Sequence, residues 1–343
     1  MSAVDWTTPG AWEAAPDIYR IPLVMPNNGL RAVNVYAILD GDRVTIVDSG
    51  WAVPEARDQL EAALGSLGLG LESIEEFLVT HSHSDHITLG VQLRREFGMR
   101  LSVGRDEEPN IQAVIDHWSN GFKMNFARLR AAGANDVADA MQARLEANPD
   151  AERMAEEYFE PADRWLDGGE ELIAGRYRLR VIHTPGHTRG HLVFADPDAG
   201  IIMTGDHVLP TITPSIGFEA QRNVLPLKHF LQSQELMLTL PDMRMLPAHG
   251  PVTESLHARS RELIDYHEHR LDDCFRALNA GSFEAIEVAR AIGWTRHLRH
   301  FDTLDAFNQM LAVMETVAHL DLLVDRGTAL AVEQGGVKTY RPA

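Results

Sequence analysis

The stretch FLVTHSHSDHITLG, residues 77–90, sets His81, His83, Asp85 and His86 within six positions at the end of a short apolar run. A surface loop gains nothing from three imidazoles, and a hydrophobic core would have to satisfy six ring nitrogens. Metal coordination uses all four side chains, and it requires further ligands from elsewhere in the chain. His81 and His83, two apart on an extended segment, point the same way and suit one shared ion. Asp85 repeats that parity, while His86 points elsewhere as the chain turns towards a helix expected over 90–98.

Three later stretches supply what is missing. His187 lies in VIHTPGHT, Asp206 in IIMTGD and His249 in MLPAHG, each where an apolar run ends in a turn with Gly or Pro. Four strands are thus expected to deliver polar groups at their carboxyl ends, where sheets of α/β type gather a site. Five histidines and two aspartates exceed the needs of one tetrahedral zinc and suit two ions sharing a bridging carboxylate. Imidazole nitrogen beside carboxylate oxygen suits two Zn²⁺, with Mn²⁺ or Fe as alternatives.

Outward from these stretches, the chain reads as β-rich, helical, β-rich and helical again. Val- and Ile-rich runs at 33–40 and 43–50, bounded by Gly and Asp, are expected strands of a hairpin, and 53–68 has helical spacing. Residues 106–165 form an Ala-, Met- and charge-rich helical insert with no strand expected in it. The β pattern returns at 177–188, 190–197, 200–208 and 243–250. Helices follow at 256–279, 283–292 and 303–326, and a Gly-turned hairpin closes the chain at 329–341. Strands with one polar face, alternating with helices, imply sheets covered by helices.

Composition narrows the function. The 343 residues exceed a typical single core, so a large unit plus a smaller one is expected. A net charge of −19 is not that of a nucleic-acid binder and fits action on small molecules. One cysteine, Cys274, excludes a disulfide framework and a cysteine-rich zinc module. The start lacks a basic segment followed by an apolar one, and no apolar run approaches the ~20 residues of a membrane span. A cytoplasmic protein without membrane partners is expected.

THSHSDH together with HTPGHT, TGDH and PAHG resembles the metallo-β-lactamase superfamily, in particular its glyoxalase II-like and lactamase-B2-like hydrolases. The resemblance covers about residues 17–255 and implies an α+β fold, an αββα sandwich with a dinuclear site at one edge. It assigns His81, His83 and His187 to the first metal, Asp85, His86 and His249 to the second, and Asp206 as the bridge. Asp48, in IVDSG, matches the family's buried aspartate that orients a ligand imidazole. Residues 1–255 would form the catalytic domain. Residues 256–343 resemble the winged-helix-like extension of lactamase-B2-like proteins. From 257 to 343, ten Arg and Lys stand against thirteen Asp and Glu, so packing or homo-oligomerisation is expected there rather than DNA binding.

The implied activity is hydrolysis by a hydroxide generated between two cations, with Asp85 also accepting a proton. A thioester or carboxylic ester is the favoured substrate. Single-stranded RNA and a lactone are the alternatives, and a binding module without chemistry is the rival of another class. No Gly-x-Ser-x-Gly elbow offers a serine mechanism. For the substrate wall, the insert supplies Trp118, Phe122, Met124 and Phe126 as a candidate lid, and His207 follows the bridging Asp206. His183 and His191 read as strand-end hydrogen-bonders, and His267, His269, His297, His300 and His319 as ordinary surface or capping histidines.

Overall fold

The structure, a computed structural model, describes residues 5–25, 29–147, 157–221, 223–295 and 298–343, and for residues 117–124 the backbone alone. A seven-stranded sheet runs in chain order through β1 (Trp12–Ala15), β2 (Ile18–Val24), β3 (Ala32–Asp40), β4 (Arg43–Val47), β5 (Ile74–Val79), β6 (Arg100–Gly104) and β7 (Arg164–Leu166). Its first four strands are antiparallel, and from β4 onward the neighbours are parallel. The second sheet has five strands, β8 (Glu171–Ala174), β9 (Tyr177–His183), β10 (Leu192–Asp196), β11 (Ile201–Gly205) and β12 (Arg244–Pro247). Its outermost pair, β11 and β12, is parallel.

The two-residue period of the strands builds the sandwich. Along β10, Leu192 and Phe194 join the core between the sheets, whereas Val193 and Ala195 join the core under the outer helices. From the first sheet, Tyr36, Ile38, Val47 and Leu78 meet Leu179, Val181, Met203 and Leu246 of the second. Helices α1 (Pro54–Ser66) and α2 (Ser84–Phe97) cover the other face of the first sheet, with Leu60, Leu64, Ile87 and Val91 on Val33, Ile46 and Phe77. These are the αββα layers expected.

The insert is α3 (Glu108–Ala131) and α4 (Asn135–Glu146). Strand β7 closes it, although no strand was expected before the second β-rich half. Helix α5 (Pro226–Thr239) covers the second sheet and leads through β12 to α6 (Leu256–Asn279), α7 (Ala285–Ala291), α8 (Ala306–Asp325) and the hairpin β13 (Ala329–Gln334) and β14 (Val337–Pro342). Three helices and a terminal hairpin are the elements of the expected winged-helix-like unit. Its apolar residues are nonetheless continuous with those of the sandwich. Leu263, Leu271, Val313 and Leu320 share one buried cluster with Val193, Ile202, Phe230 and Met245, and with Phe126 and Leu129 of the insert.

Candidate metal centre

Each side chain of interest leaves the end of a strand. At the end of β4, Asp48 adopts a left-handed backbone (φ 59°) that sparsely suits a residue with a Cβ. Its carboxylate accepts from Thr80 N (2.8 Å) and Thr80 Oγ1 (2.9 Å), and from Nδ1 of His86 (2.9 Å). The chain then leaves β5 through Thr80 to His81. Contrary to the alternation expected through Asp85, α2 begins at Ser84 with His83 as its N-cap residue, so Asp85 and His86 occupy the first helical turn. An acidic residue there also suits the positive end of the helix dipole.

The second sheet supplies the rest. After β9, Gly186 (φ 146°) lets the His187 loop lie on α5, because a Cβ there would stand 2.4 Å from Phe230 Cα. After β11, Gly205 (φ 50°) turns the chain into Asp206, and after β12 the chain runs through Pro247 to His249. Asn34 of β3 donates to the carbonyls of Pro247 (3.0 Å) and Gly250 (2.9 Å), binding the two sheets together at this edge.

Hydrogen-bond partners fix the imidazole tautomers. A carbonyl only accepts, so the nitrogens facing one carry the protons. His187 Nδ1 donates to Ser215 O (2.8 Å), His249 Nδ1 to Ala32 O (2.8 Å) and His83 Nε2 to Phe218 O (3.3 Å). His86 Nδ1 donates to Asp48. Thr80 Oγ1, already a donor to Asp48, accepts from His81 Nδ1 (3.1 Å). Five bare nitrogens therefore face inward.

They fall in two sets. His81 Nε2, His83 Nδ1 and His187 Nε2 lie 3.0–3.2 Å apart, close to the spacing of ligands around one tetrahedral Zn²⁺, ~3.3 Å for bonds of ~2.0 Å. Three bare lone pairs at that distance repel unless a cation lies between them. His86 Nε2, His249 Nε2 and Asp206 Oδ1 are buried with no hydrogen-bond partner. Asp85 Oδ2 stands 3.3 Å from His249 Nε2 and 3.5 Å from His86 Nε2. Asp206 sits between the sets, with Oδ2 3.6 Å from His187 Nε2 and Oδ1 3.4 Å from His249 Nε2. Both clusters can hold a metal ion.

The charges differ between the sets. Burial, then the other imidazoles, holds His81 well below the usual histidine range, and burial pushes His187 down to about 4. Burial also opposes charge on His86, but the carboxylates of Asp85, Asp48 and Asp206 outweigh it and raise that imidazole well above its usual value, a demand for positive charge that a cation on Nε2 meets in place of a proton. The first set is thus a cradle of three imidazole nitrogens and the second a carboxylate-rich one, which suits hard divalent cations.

Several supporting groups escaped the sequence reading. Glu107 reads as surface charge in RDEEPN, yet its side chain is buried between two of the loops. Its carboxylate accepts from Ser82 Oγ, Thr188 Oγ1, Gly190 N (3.1 Å) and Asn110 Nδ2 (3.1 Å). The loop carrying His81 and His83 is thereby clamped to the one carrying His187. Glu107→Ala should lower unfolding free energy by about 2–4 kcal/mol, since it strands several buried donors. Retention of a bound metal against a competing chelator should fall about 10–100-fold. Unchanged retention would reduce Glu107 to a packing group.

Residues 215–219 form a strap over the first set, through the Ser215 and Phe218 carbonyls and the Glu219 carboxylate. Glu219 Oε2 accepts from Asn110 Nδ2 (3.0 Å) and Arg189 N (2.9 Å). Burial, reinforced by the Glu107 carboxylate, raises Glu219 from 4.5 to about 7. The folded chain therefore binds this proton more tightly than the unfolded one. Its contribution to stability is greatest below about 4.5 and is lost as pH rises to about 7. Glu219→Gln should flatten that interval of the stability–pH curve by on the order of 3 kcal/mol, as read by urea unfolding on either side of it. An unaltered slope would assign the dependence elsewhere.

The remaining expectations divide. His183 Nε2 donates to Arg189 O (2.8 Å), and His191 lies 2.9 Å from Thr184 Oγ1 and accepts from Asp206 N (3.2 Å), as hydrogen-bonders at strand ends do. His207 is fully buried, its ring against Phe230 and His191, and offers no surface to a substrate. Phe126 is a core residue rather than part of a lid. The side chains of Trp118, Phe122 and Met124 lie outside the described residues, as does His297. His267 and His319, expected at the surface, are fully buried against one another, because α6 and α8 pack face to face.

The chain is similar to several known proteins. The sequence pattern of the metallo-beta-lactamase superfamily matches residues 28–249. The chain is 24% identical over 302 residues to a probable metallo-hydrolase of Bacillus subtilis (strain 168), YqjP, covering 83% of this chain and 86% of that protein. It is 25% identical over 171 residues to the hydroxyacylglutathione hydrolase of Brucella ovis, covering 50% of this chain and 46% of that enzyme. Among solved structures, a metallo-beta-lactamase family protein from Thermus thermophilus aligns at 27% identity with a TM-score of 0.73, covering 96% of this chain and 100% of that one. A beta-lactamase domain protein from Burkholderia ambifaria shares the fold at 24% identity and a TM-score of 0.78, covering 97% and 94% of the two chains.

Proposed function

The chain belongs to the metallo-beta-lactamase superfamily and is a metal-dependent hydrolase, and on that premise we propose that it is a dinuclear zinc enzyme cleaving thioesters or carboxylic esters. The convergence of five bare imidazole nitrogens on two carboxylates carries this reading. His81, His83 and His187 would hold one ion, and Asp85, His86 and His249 the other. Asp206 would bridge them, since one of its oxygens faces each set. When bound, such ions lower the pKa of water towards ~7 and polarise a carbonyl.

The chain's own residues do the rest. Asp48 and the carbonyls of Ser215, Phe218 and Ala32 hold the imidazoles in the ligating tautomer. Asp85, whose side chain is 13% exposed, would accept a proton during turnover. Buried Thr80, His191 and Glu107 keep these groups aligned without touching substrate.

The thioester class draws support from the relatives named hydroxyacylglutathione hydrolase, which span half of this chain. A net charge of −19 opposes a long polyanion such as RNA. The test is a panel run on zinc-loaded protein with acyl-thioesters, carboxylic esters, lactones, cephalosporins and single-stranded RNA. Thioester turnover should exceed RNA turnover at least about 100-fold and respond weakly to salt. RNA cleavage that dominates and falls steeply with salt would overturn the assignment.

A further inference from the structure

A second cluster of metal-ligating groups lies in the C-terminal helices, apart from the centre described above. His267 of α6 and Glu315 and His319 of α8 bring one donor atom each to within 4.8 Å of one another, all buried. His319 Nδ1 donates to Glu315 O (2.7 Å), so its Nε2 is bare and stands 3.1 Å from His267 Nδ1. That separation equals the nitrogen spacing in the His81, His83 and His187 cradle.

A hydrogen bond between the two imidazoles would account for those nitrogens and leave the carboxylate unexplained. Glu315 Oε1 is buried with no hydrogen-bond partner, on a helix whose exposed face could have carried it. Nearby Arg270 donates to Gly293 O (2.7 Å) and lies 4.4 Å over the Trp294 ring; its charge reaches Glu315, but its Nε and Glu315 Oε1 are both left without a hydrogen-bond partner. A buried carboxylate oxygen without a hydrogen-bond partner, beside two imidazoles, completes the donor set of a zinc site with three protein ligands. Burial favours the ligating forms of the rings, pushing His319 down to about 4 and His267 well below its usual range. Burial also raises the Glu315 carboxyl, an effect that a bound cation reverses.

We propose that His267, Glu315 and His319 form a zinc site with three protein ligands that pins α8 to α6. The helices so joined back the metal centre, for His267 packs on Phe230, whose backbone abuts Gly186 in the His187 loop.

The test is the zinc content of the full-length protein, reconstituted with zinc alone and freed of excess. Wild type should hold three equivalents, and Glu315→Gln and His319→Gln two each, with ester hydrolysis unchanged. A His83→Ala, His249→Ala variant, which lacks a donor in each active-site set, should retain one tightly held equivalent. Zinc should raise the melting temperature of that variant, and adding Glu315→Gln should abolish the rise. This arm stands whether or not the dinuclear reading or the ester substrate fails, and it needs no activity. Equal zinc content in wild type and both single variants, or no zinc-dependent shift in the active-site variant, would leave a hydrogen-bonded histidine pair and overturn the site.

Discussion

Asp206→Ala should lower kcat/KM at least about a thousandfold and deplete metal from both active-site sets at once. Asp206 alone among the seven residues places an oxygen against each set, 3.6 Å from His187 Nε2 and 3.4 Å from His249 Nε2. Its removal would deprive each ion of a ligand and leave Asp85 as the one carboxylate facing the five imidazoles. Loss of about 4 kcal/mol of transition-state stabilisation corresponds to the thousandfold. His249→Ala should differ in kind, emptying chiefly the set it shares with Asp85 and His86. Asp206→Asn preserves volume and one neutral oxygen, so it should retain more metal than Asp206→Ala. Metal analysis and kinetics on the three variants test this together. Asp206→Ala protein that keeps both active-site ions and more than a tenth of its activity would refute the bridge.

The legibility of that centre follows from which atoms do the work. His81, His83, His187, Asp206 and His249 would act through side chains at strand ends, and their type and position are written in the sequence. The groups that aim them are largely carbonyls, those of Ala32, Ser215 and Phe218, and every residue type carries one. Glu107 escaped for another reason. Its neighbours Asp106 and Glu108 are exposed, and which member of an acidic run turns inward depends on Ser82 and Thr188, far away in the chain.

The fold divides along similar lines. Strands with clean alternation and the three C-terminal helices lie within a few residues of where periodicity placed them. β2 is obscured by Pro22, which the sheet tolerates because β1 reaches only as far as Arg20 and leaves that side of the strand unpaired. Helix α5 follows Leu225 in left-handed backbone, with no capping side chain to announce it. The division at residue 255 marks the last residue before α6 but not an edge of the core.

A chain truncated after residue 255 should therefore fail to reach the native state, although it keeps all seven candidate ligands. If the tail were a separate module, cutting it away would cost solubility alone. The buried cluster argues otherwise, because Leu256, Leu263, Leu271, Leu278, Met310, Val313, Leu320 and Leu323 cover the outer face of the second sheet and the insert. At about 1.5–3 kcal/mol for each buried side chain, the eight together match or exceed the ~5–15 kcal/mol that holds a typical domain together. The damage would also reach the metal centre. Arg259 of α6 donates to Leu209 O (2.6 Å) and Ile212 O (2.9 Å), fixing the chain just ahead of the strap. Phe307 of α8 packs edge-on against Phe218, whose carbonyl holds His83. The truncated chain should be insoluble, or compact with its near-ultraviolet dichroism lost, and should no longer retain zinc in the His81, His83 and His187 cradle. Phe307→Ala, a milder form of the same cut, should leave the protein folded and weaken zinc retention in that cradle several-fold. A soluble, metal-loaded and active 1–255 fragment would show that the sandwich stands without its tail.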